Sequence, residues 1–237
     1  MITLEGVSKS FHGSSAVRDL SVTIDNGEVF GLVGPNGAGK TTTIRMLSGL
    51  LIPDAGKIIV GGHDIVKEPL RAKSLLGYIP DKGFLYEKLT VREFMIFVAS
   101  VHRIEKTVAQ AKTDELLLLF GIREQEDELI ESLSQGMRQR LLFASALVHD
   151  PSVLLIDEPF TGLDPLGVRM LKRLLAEWGA RGTAVFLATH SLHIAEEVCD
   201  RVGFLDKGSL LSTVKREEIK GMKGGLEGMF LKMSGEQ

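Results

Sequence analysis

Residues 34–42 read Gly34-Pro35-Asn36-Gly37-Ala38-Gly39-Lys40-Thr41-Thr42, and their types fit the spacing G-x-x-x-x-G-K-[ST] of a phosphate-binding loop. Glycines let backbone N–H groups turn inward and cradle phosphate oxygens that side chains would obstruct. Lys40 supplies a point charge able to reach the β- and γ-phosphates, and the Thr41 hydroxyl can ligate Mg²⁺. The flanks agree. Glu28 to Val33 reads as a short buried strand, and Thr42 to Gly49 as a helix whose N-terminus is a natural anion site. A glycine-rich turn that happens to carry a lysine would not account for both flanks, so Gly34 through Thr42 are read as contacts to a nucleoside triphosphate.

A second group lies in Leu154-Leu155-Ile156-Asp157-Glu158-Pro159. An acidic residue at the C-terminal end of a buried parallel strand sits where doubly wound sheets bind their ligands. Asp157 can hold Mg²⁺ directly or through water, and Glu158, one step further, can polarise a water for attack on the γ-phosphate. Alone, an Asp-Glu pair in a surface turn is common; beside the phosphate loop it gains a purpose. Leu133-Ser134-Gln135-Gly136-Met137-Arg138-Gln139-Arg140 by itself is only a serine cap ahead of an amphipathic helix.

Several elements must position these residues. Ile2 and Leu4, then Val22 and Ile24, alternate with polar residues, and Asp25-Asn26-Gly27 is a turn signal, so residues 1–30 read as β-structure. Lys9 to Gly13 reads as a polar loop carrying one exposed aromatic, Phe11. Lys57 to Gly62 reads as a strand, Leu70 to Leu76 as a short helix and Gly77 to Pro80 as a strand. From about residue 82 the period changes. Thr90-Val91-Arg92-Glu93 is a capping box, and helical texture with no convincing strand runs to about 149, as expected of a helical lobe inserted in an α/β core. Strand signals return at Val153 to Ile156, Thr183 to Ala188 and Val202 to Leu205, the last of which reads as the final strand. Asp164-Pro165 starts a helix running to about Trp178, Ser191 to Cys199 is another, and 215–237 reads as a short helical tail.

With Ser134 standing 23 residues before Asp157, the sequence resembles the ATP-binding subunits of ABC transporters. Their signature reads L-S-G-G-Q. Their motif order is phosphate loop, glutamine loop, signature, Asp-Glu strand, S-A-L-D-like loop and switch histidine. The match runs from residue 2 to about 212. The resemblance implies a phosphate-loop NTPase (RecA-like) α/β core with an N-terminal antiparallel β-subdomain and an inserted α-helical subdomain. The ATP-binding domain would span 1–214 and the tail 215–237. It also implies Mg²⁺-dependent ATP hydrolysis driving substrate movement, with two ATP sandwiched between two such domains.

Within that resemblance, Ser134, Gln135 and Gly136 would contact the ATP held by the other protomer. The signature departs from the family at Gln135 and Met137 and keeps the serine and the last glycine; its Gly-Met-Arg-Gln-Arg form looks like the exporter-type (ABC-2-like) branch. Asp164, in Thr161-Gly162-Leu163-Asp164-Pro165, resembles the loop crossing the dimer interface and is a helix cap as well. His190 matches the switch histidine, whose neutral imidazole can hydrogen-bond the γ-phosphate and orient Glu158 and water. Phe11 matches the aromatic that stacks on adenine, for which a π-face suffices; the competing role is a core aromatic under a hairpin. Asp81 stands where the family has glutamine. Shorter and anionic, it could bind Mg²⁺ more strongly, yet it would be repelled by a triphosphate lacking metal. Phe84 to Thr90 matches the groove that receives a cytoplasmic helix of the transmembrane subunit; ordinary packing of Phe84, Leu85 and Leu89 is the alternative. The partners implied are a separate transmembrane permease and a second ATP-binding subunit, identical or not.

Composition sets the outer bounds. A chain of 237 residues, 44% hydrophobic and 25% charged, with formal net charge −3 and pI about 6.1, has no bulk electrostatic signature of a nucleic-acid binder. The lone Cys199 excludes an internal disulfide framework. No apolar run approaches the ~20 residues of a membrane helix, and the start lacks the pattern of a signal peptide. The expected location is the cytoplasm, peripheral at the membrane through the permease. Two other classes remain: a soluble, non-transport ATPase of the same superfamily acting in assembly, and a nucleotide-switched binding module. Intact Glu158 and His190 argue against the second.

Overall fold

The computed structural model describes residues 1–160, 163–220 and 224–234; Thr161 and Gly162 of the expected dimer loop lie outside the described residues, as do 221–223 and 235–237 of the expected tail. Four strands, β1 (Ile2–Phe11), β2 (Ser14–Ile24), β4 (Ala55–Val60) and β5 (His63–Asp64), form an antiparallel sheet in the order β2-β1-β4-β5. Phe11 is the last residue of β1 and pairs with Ser14. The polar loop expected over Lys9 to Gly13 is therefore a two-residue turn, His12-Gly13, because Lys9, Ser10 and Phe11 stay paired with Val17, Ser15 and Ser14 of β2.

Beside it lies a six-stranded sheet in the order β10-β9-β3-β8-β7-β6. Its strands are β3 (Val29–Val33), β6 (Leu76–Ile79), β7 (Val153–Asp157), β8 (Ala184–Thr189), β9 (Arg201–Asp206) and β10 (Ser209–Lys215). All neighbours pair in parallel except β9 and β10. The expectation that Val202 to Leu205 is the final strand is corrected by β10, which returns through Lys207-Gly208, both at positive φ (45° and 83°), a hairpin turn suited to the strand twist. As a half-exposed edge strand, β10 lacks the continuous apolar run that marks the buried strands.

Alternation along the parallel strands feeds two cores. Val29, Val33, Leu154, Ile156, Val185 and Leu187 face one; Phe30, Leu32, Val153, Leu155 and Phe186 face the other. The second core is closed by the antiparallel sheet and by α1 (Lys40–Leu47). The first receives the helical lobe, α3 (Val91–Val101), α4 (Lys106–Leu119) and α5 (Gln135–Leu147), together with α6 (Pro165–Ala180) and α7 (Leu192–Val198). The capping box is formed as read: Glu93 N–H donates to Thr90 Oγ1 at 3.1 Å, and Thr90 N–H to Glu93 Oε2 at 2.8 Å. Two short helices complete the described chain, α8 (Arg216–Lys220) and α9 (Gly225–Ser234), after α2 (Pro69–Ser74) earlier. α9 turns back on the core, where Leu226 is buried and Phe230 stacks on Phe204 with centroids 6.2 Å apart.

Candidate functional site

The site lies where β3, β7 and β8 end side by side, since register sets Val33 against Thr189 and Asp157 against Ala188. The loop leaving β3 is shaped by its glycines. Gly39 has φ +110°, and a Cβ there would lie 2.4 Å from the Ala16 carbonyl oxygen, so no other residue fits without displacing backbone. Lys40, 6% exposed, curls back, its Nζ donating to the carbonyls of Gly34 at 2.7 Å and Pro35 at 3.1 Å. Burial pushes its pKa down, against the opposing pull of Glu158 and then Asp157. A cavity of about 260 Å³ opens here, lined among others by Asn36, Gly37, Thr41, Thr42, Asp81 and Glu158. Of the predicted site residues, Asn36, Gly37, Gly39, Lys40, Thr41 and Thr42 thus share one hollow with Asp81 and Glu158, whereas Gly34, Pro35, Ala38 and Asp157 do not line it.

Asp157 is 2% exposed, and its Oδ1 is buried with no hydrogen-bond partner among the described residues. Burial pushes its carboxyl up to about 6, a hydrogen bond from Thr41 opposes this, and the charges of Glu158 and Asp81 add to it. A buried carboxylate oxygen without a donor, beside a hydroxyl and near a second carboxylate, suits a hard cation with oxygen ligands. Among the described residues no group of three or more His, Cys, Asp or Glu is placed to hold a metal ion.

Glu158 follows at φ +47°, in the left-handed region that non-glycine residues seldom occupy. Its N–H donates to the Ala188 carbonyl at 2.9 Å, tying it to β8. Both carboxylate oxygens are held: Oε1 by His190 Nδ1 at 2.9 Å, and Oε2 by the Thr189 hydroxyl at 3.0 Å. Lys40 Nζ stands 4.0 Å from Oε1. Glu158 and His190, 32 residues apart in the chain, are thus in contact. Thr189 is the participant that sequence reasoning missed; its only signal was a polar residue closing an otherwise apolar strand.

The signature residues stand apart from this cavity. Ser134 caps α5, its Oγ accepting from Met137 N–H at 3.3 Å. Ser134 and Gln135 are exposed, and Gly136 is half-buried, with nothing within 4 Å of where a Cβ would stand. None of the three lines the phosphate cavity of its own chain. Asp164 performs the capping role, accepting from Gly167 N–H at 2.7 Å, and lies 3.8 Å from Arg140 of α5. Phe11 is 42% exposed, with Lys9 Nζ 5.8 Å from its ring centroid. It is therefore not a core aromatic. His193, outside every motif, pairs on the surface with Glu197 at 3.0 Å.

A larger groove of about 680 Å³ lies between the stretch 81–89 and α5, lined by Asp81, Phe84, Leu85, Tyr86, Gln135 and Leu142 among others. The stretch after Asp81 divides. Leu85 is buried as packing, whereas Phe84 is 81% exposed and meets Tyr86 edge-on at 5.5 Å. Asp81 borders both this groove and the phosphate cavity.

A phosphate loop, an Asp-Glu strand and a histidine at adjacent ends of a parallel sheet define a phosphate-loop ATPase. A family model described as ABC transporter matches residues 17–161. The chain is 42% identical over 225 residues to the ABC transporter ATP-binding protein YhcH of Bacillus subtilis (strain 168), covering 92% of this chain and 72% of that protein. It is 37% identical over 224 residues to the daunorubicin resistance ATP-binding protein DrrA3 of Streptomyces coeruleorubidus, with 94% and 71% covered. A solved structure described as an ATP-binding subunit of an ABC transporter, 29% identical, superposes with a TM-score of 0.92 over 99% of each chain. The chain belongs to the ABC transporter family, as an ATP-binding subunit that hydrolyses ATP. No helix among the described residues is long and apolar enough to cross a membrane.

Proposed function

We propose that two ATP-binding subunits, of which this chain is one, close head to tail around two Mg²⁺-ATP and so drive substrate movement through a separate permease. The observation that carries this reading is the division of the site. Lys40, Thr41 and Glu158 share one cavity, while Ser134 is exposed and the half-buried Gly136 has open space where a Cβ would stand. A helix N-terminus with a hydroxyl and a glycine makes a good anion contact, and on this face it is free to meet the γ-phosphate bound by the other subunit. The bridging phosphate would hold the pair closed until hydrolysis removes it.

Within each site Lys40 binds the β- and γ-phosphates, and Asp157, Thr41 and Asp81 are the residues that would hold Mg²⁺, whose charge neutralises the phosphate oxygens. Glu158 takes the proton of the attacking water, and His190 orients both Glu158 and the γ-phosphate. Phe11 offers its face to adenine, and Asp164 belongs to the interface. The groove beside Phe84 and Tyr86 receives the permease, which would place the chain at the cytoplasmic face of the membrane. Residues 1–214 form the ATPase unit and 215–237 its tail. Relatives named for Nod factor export and lipopolysaccharide export support the export direction.

The test is Glu158→Gln. It should bind ATP, lose turnover by on the order of a hundredfold or more, and accumulate as a dimer with ATP in analytical ultracentrifugation. A monomeric variant with full turnover would contradict the mechanism.

A further inference from the structure

Thr189 ends β8 and is 2% exposed, in line behind the buried apolar residues Val185, Phe186, Leu187 and Ala188. Nothing in packing calls for a hydroxyl there, yet this one is committed twice. Its Oγ1 accepts the Ser191 N–H at 3.1 Å and donates to Glu158 Oε2 at 3.0 Å. A threonine hydroxyl has a single proton; with Ser191 supplying the donor on one side, that proton is directed onto the carboxylate. The two groups holding Glu158 also differ in kind. The His190 side chain is 60% exposed and free to exchange partners, whereas Thr189 is enclosed. The Glu158 backbone is fixed to the same strand end through its N–H to Ala188.

We propose that Thr189 is a positioning residue for ATP hydrolysis. It anchors one carboxylate oxygen of Glu158 to the end of β8, so that the other, Oε1, is the oxygen that His190 shares and that acts on the attacking water. This rests on the reading of Glu158 as the base. The competing role, a hydroxyl that merely closes the turn into α7 through Ser191, concerns folding and would leave the chemical step alone.

The experiment measures ATP turnover, ATP affinity and Tm for Thr189→Val and Thr189→Ser, each with Glu158 intact and with Glu158→Ala. Thr189→Val should lower kcat by about tenfold or more, the loss of one hydrogen bond to a charged group, while ATP affinity stays within about twofold. Thr189→Ser, which keeps the hydroxyl, should stay within about threefold of the native kcat. Once Glu158 is alanine, Thr189→Val should have no further effect on the residual rate, because its target is gone. Native turnover in Thr189→Val, equal losses in the serine and valine variants, or an undiminished loss in the Glu158→Ala background would each overturn the proposal. If the valine variant does not fold, Thr189→Ala takes its place in the same comparison. Native turnover in Glu158→Ala alone would overturn the assignment of the base, and is thereby told apart from a failure at Thr189.

Discussion

The phosphate loop and the signature helix both present a helix N-terminus and glycines to solvent, yet they are built differently. The loop is satisfied within its own chain: Gly39 is pressed on the Ala16 carbonyl, Lys40 is bonded to Gly34 and Pro35, and Gly208 N–H closes on Ala38 at 2.9 Å. The signature uses almost none of its chain. Gly136 touches nothing where a side chain would begin, and Ser134 does no more than cap. One glycine is explained by folding and the other is not. A residue type that folding leaves unexplained points to something outside the chain that must come close.

The largest effect is expected at the loop. Gly39→Ala forces a Cβ against backbone at a positive φ, and should cost roughly 3 kcal/mol, lowering Tm by about 10 °C. A native melting curve for this variant would show that the loop is less constrained than its geometry implies.

Next comes the seam that joins the lobe carrying the signature to the sheet carrying the loop. His149 Nε2 lies 3.2 Å from the Leu76 carbonyl, and its ring stacks on His102 at 3.7 Å. Its Nδ1 is buried without a hydrogen-bond partner among the described residues, as suits an unprotonated nitrogen. Burial pushes His149 down to about 4, with the nearby His102 adding to the shift and Asp150 and the Leu76 carbonyl opposing it; His102 is lowered by burial too. Because the unfolded chain binds the proton first, stability is full above the free imidazole value and falls as pH drops from about 6.5 toward 4. The loss should be on the order of 2 kcal/mol after allowing for partial exposure. Urea midpoints across that range would show it, and His149→Phe, which keeps the stack, should flatten it. An equally steep pH dependence in His149→Phe would assign the effect elsewhere.

A smaller effect belongs to Asp81, the residue that borders both cavities. Asp81→Ala should raise the Mg²⁺ concentration needed for half-maximal turnover severalfold, as expected of a carboxylate near the metal. An unchanged Mg²⁺ requirement, together with unchanged stimulation by the permease, would remove Asp81 from the metal's surroundings.

The smallest effect on folding, and the sharpest contrast with Gly39, is Gly136→Ala. In the first turn of α5 with open space beside it, alanine should leave Tm unchanged or raise stability by about 0.5 kcal/mol, while ATP turnover falls. Full turnover in that variant would mean that nothing approaches the signature closely, and would erase the contrast between Gly136 and Gly39.

Much of this was legible because it is local. The capping box at Thr90, the N-caps at Ser134 and Asp164, the buried strand before Asp157 and the phosphate loop each depend on residues within a few positions of one another. What was missed depends on neighbours distant in the chain. β10 pairs at an edge with little apolar pattern of its own. Leu85 and Phe84 are adjacent and similar in composition, yet one is buried and the other exposed, since only the packing of the lobe separates them. Thr189 reads as a strand-ending threonine until β7 is set beside β8.

From the amino-acid sequence alone follow the kinds of group the chain possesses and the strand and helix ends that carry them, because hydrogen-bonding patterns and apolar periodicity act over short spans. The tertiary structure alone decided which groups meet. Parallel pairing brings Thr189 and His190 each within 3.0 Å of Glu158, leaves Asp157 Oδ1 buried with no donor among the described residues, and keeps Ser134 and Gly136 away from the loop's cavity. Those outcomes are set by register and by the filling of two cores, which no short stretch of the chain encodes.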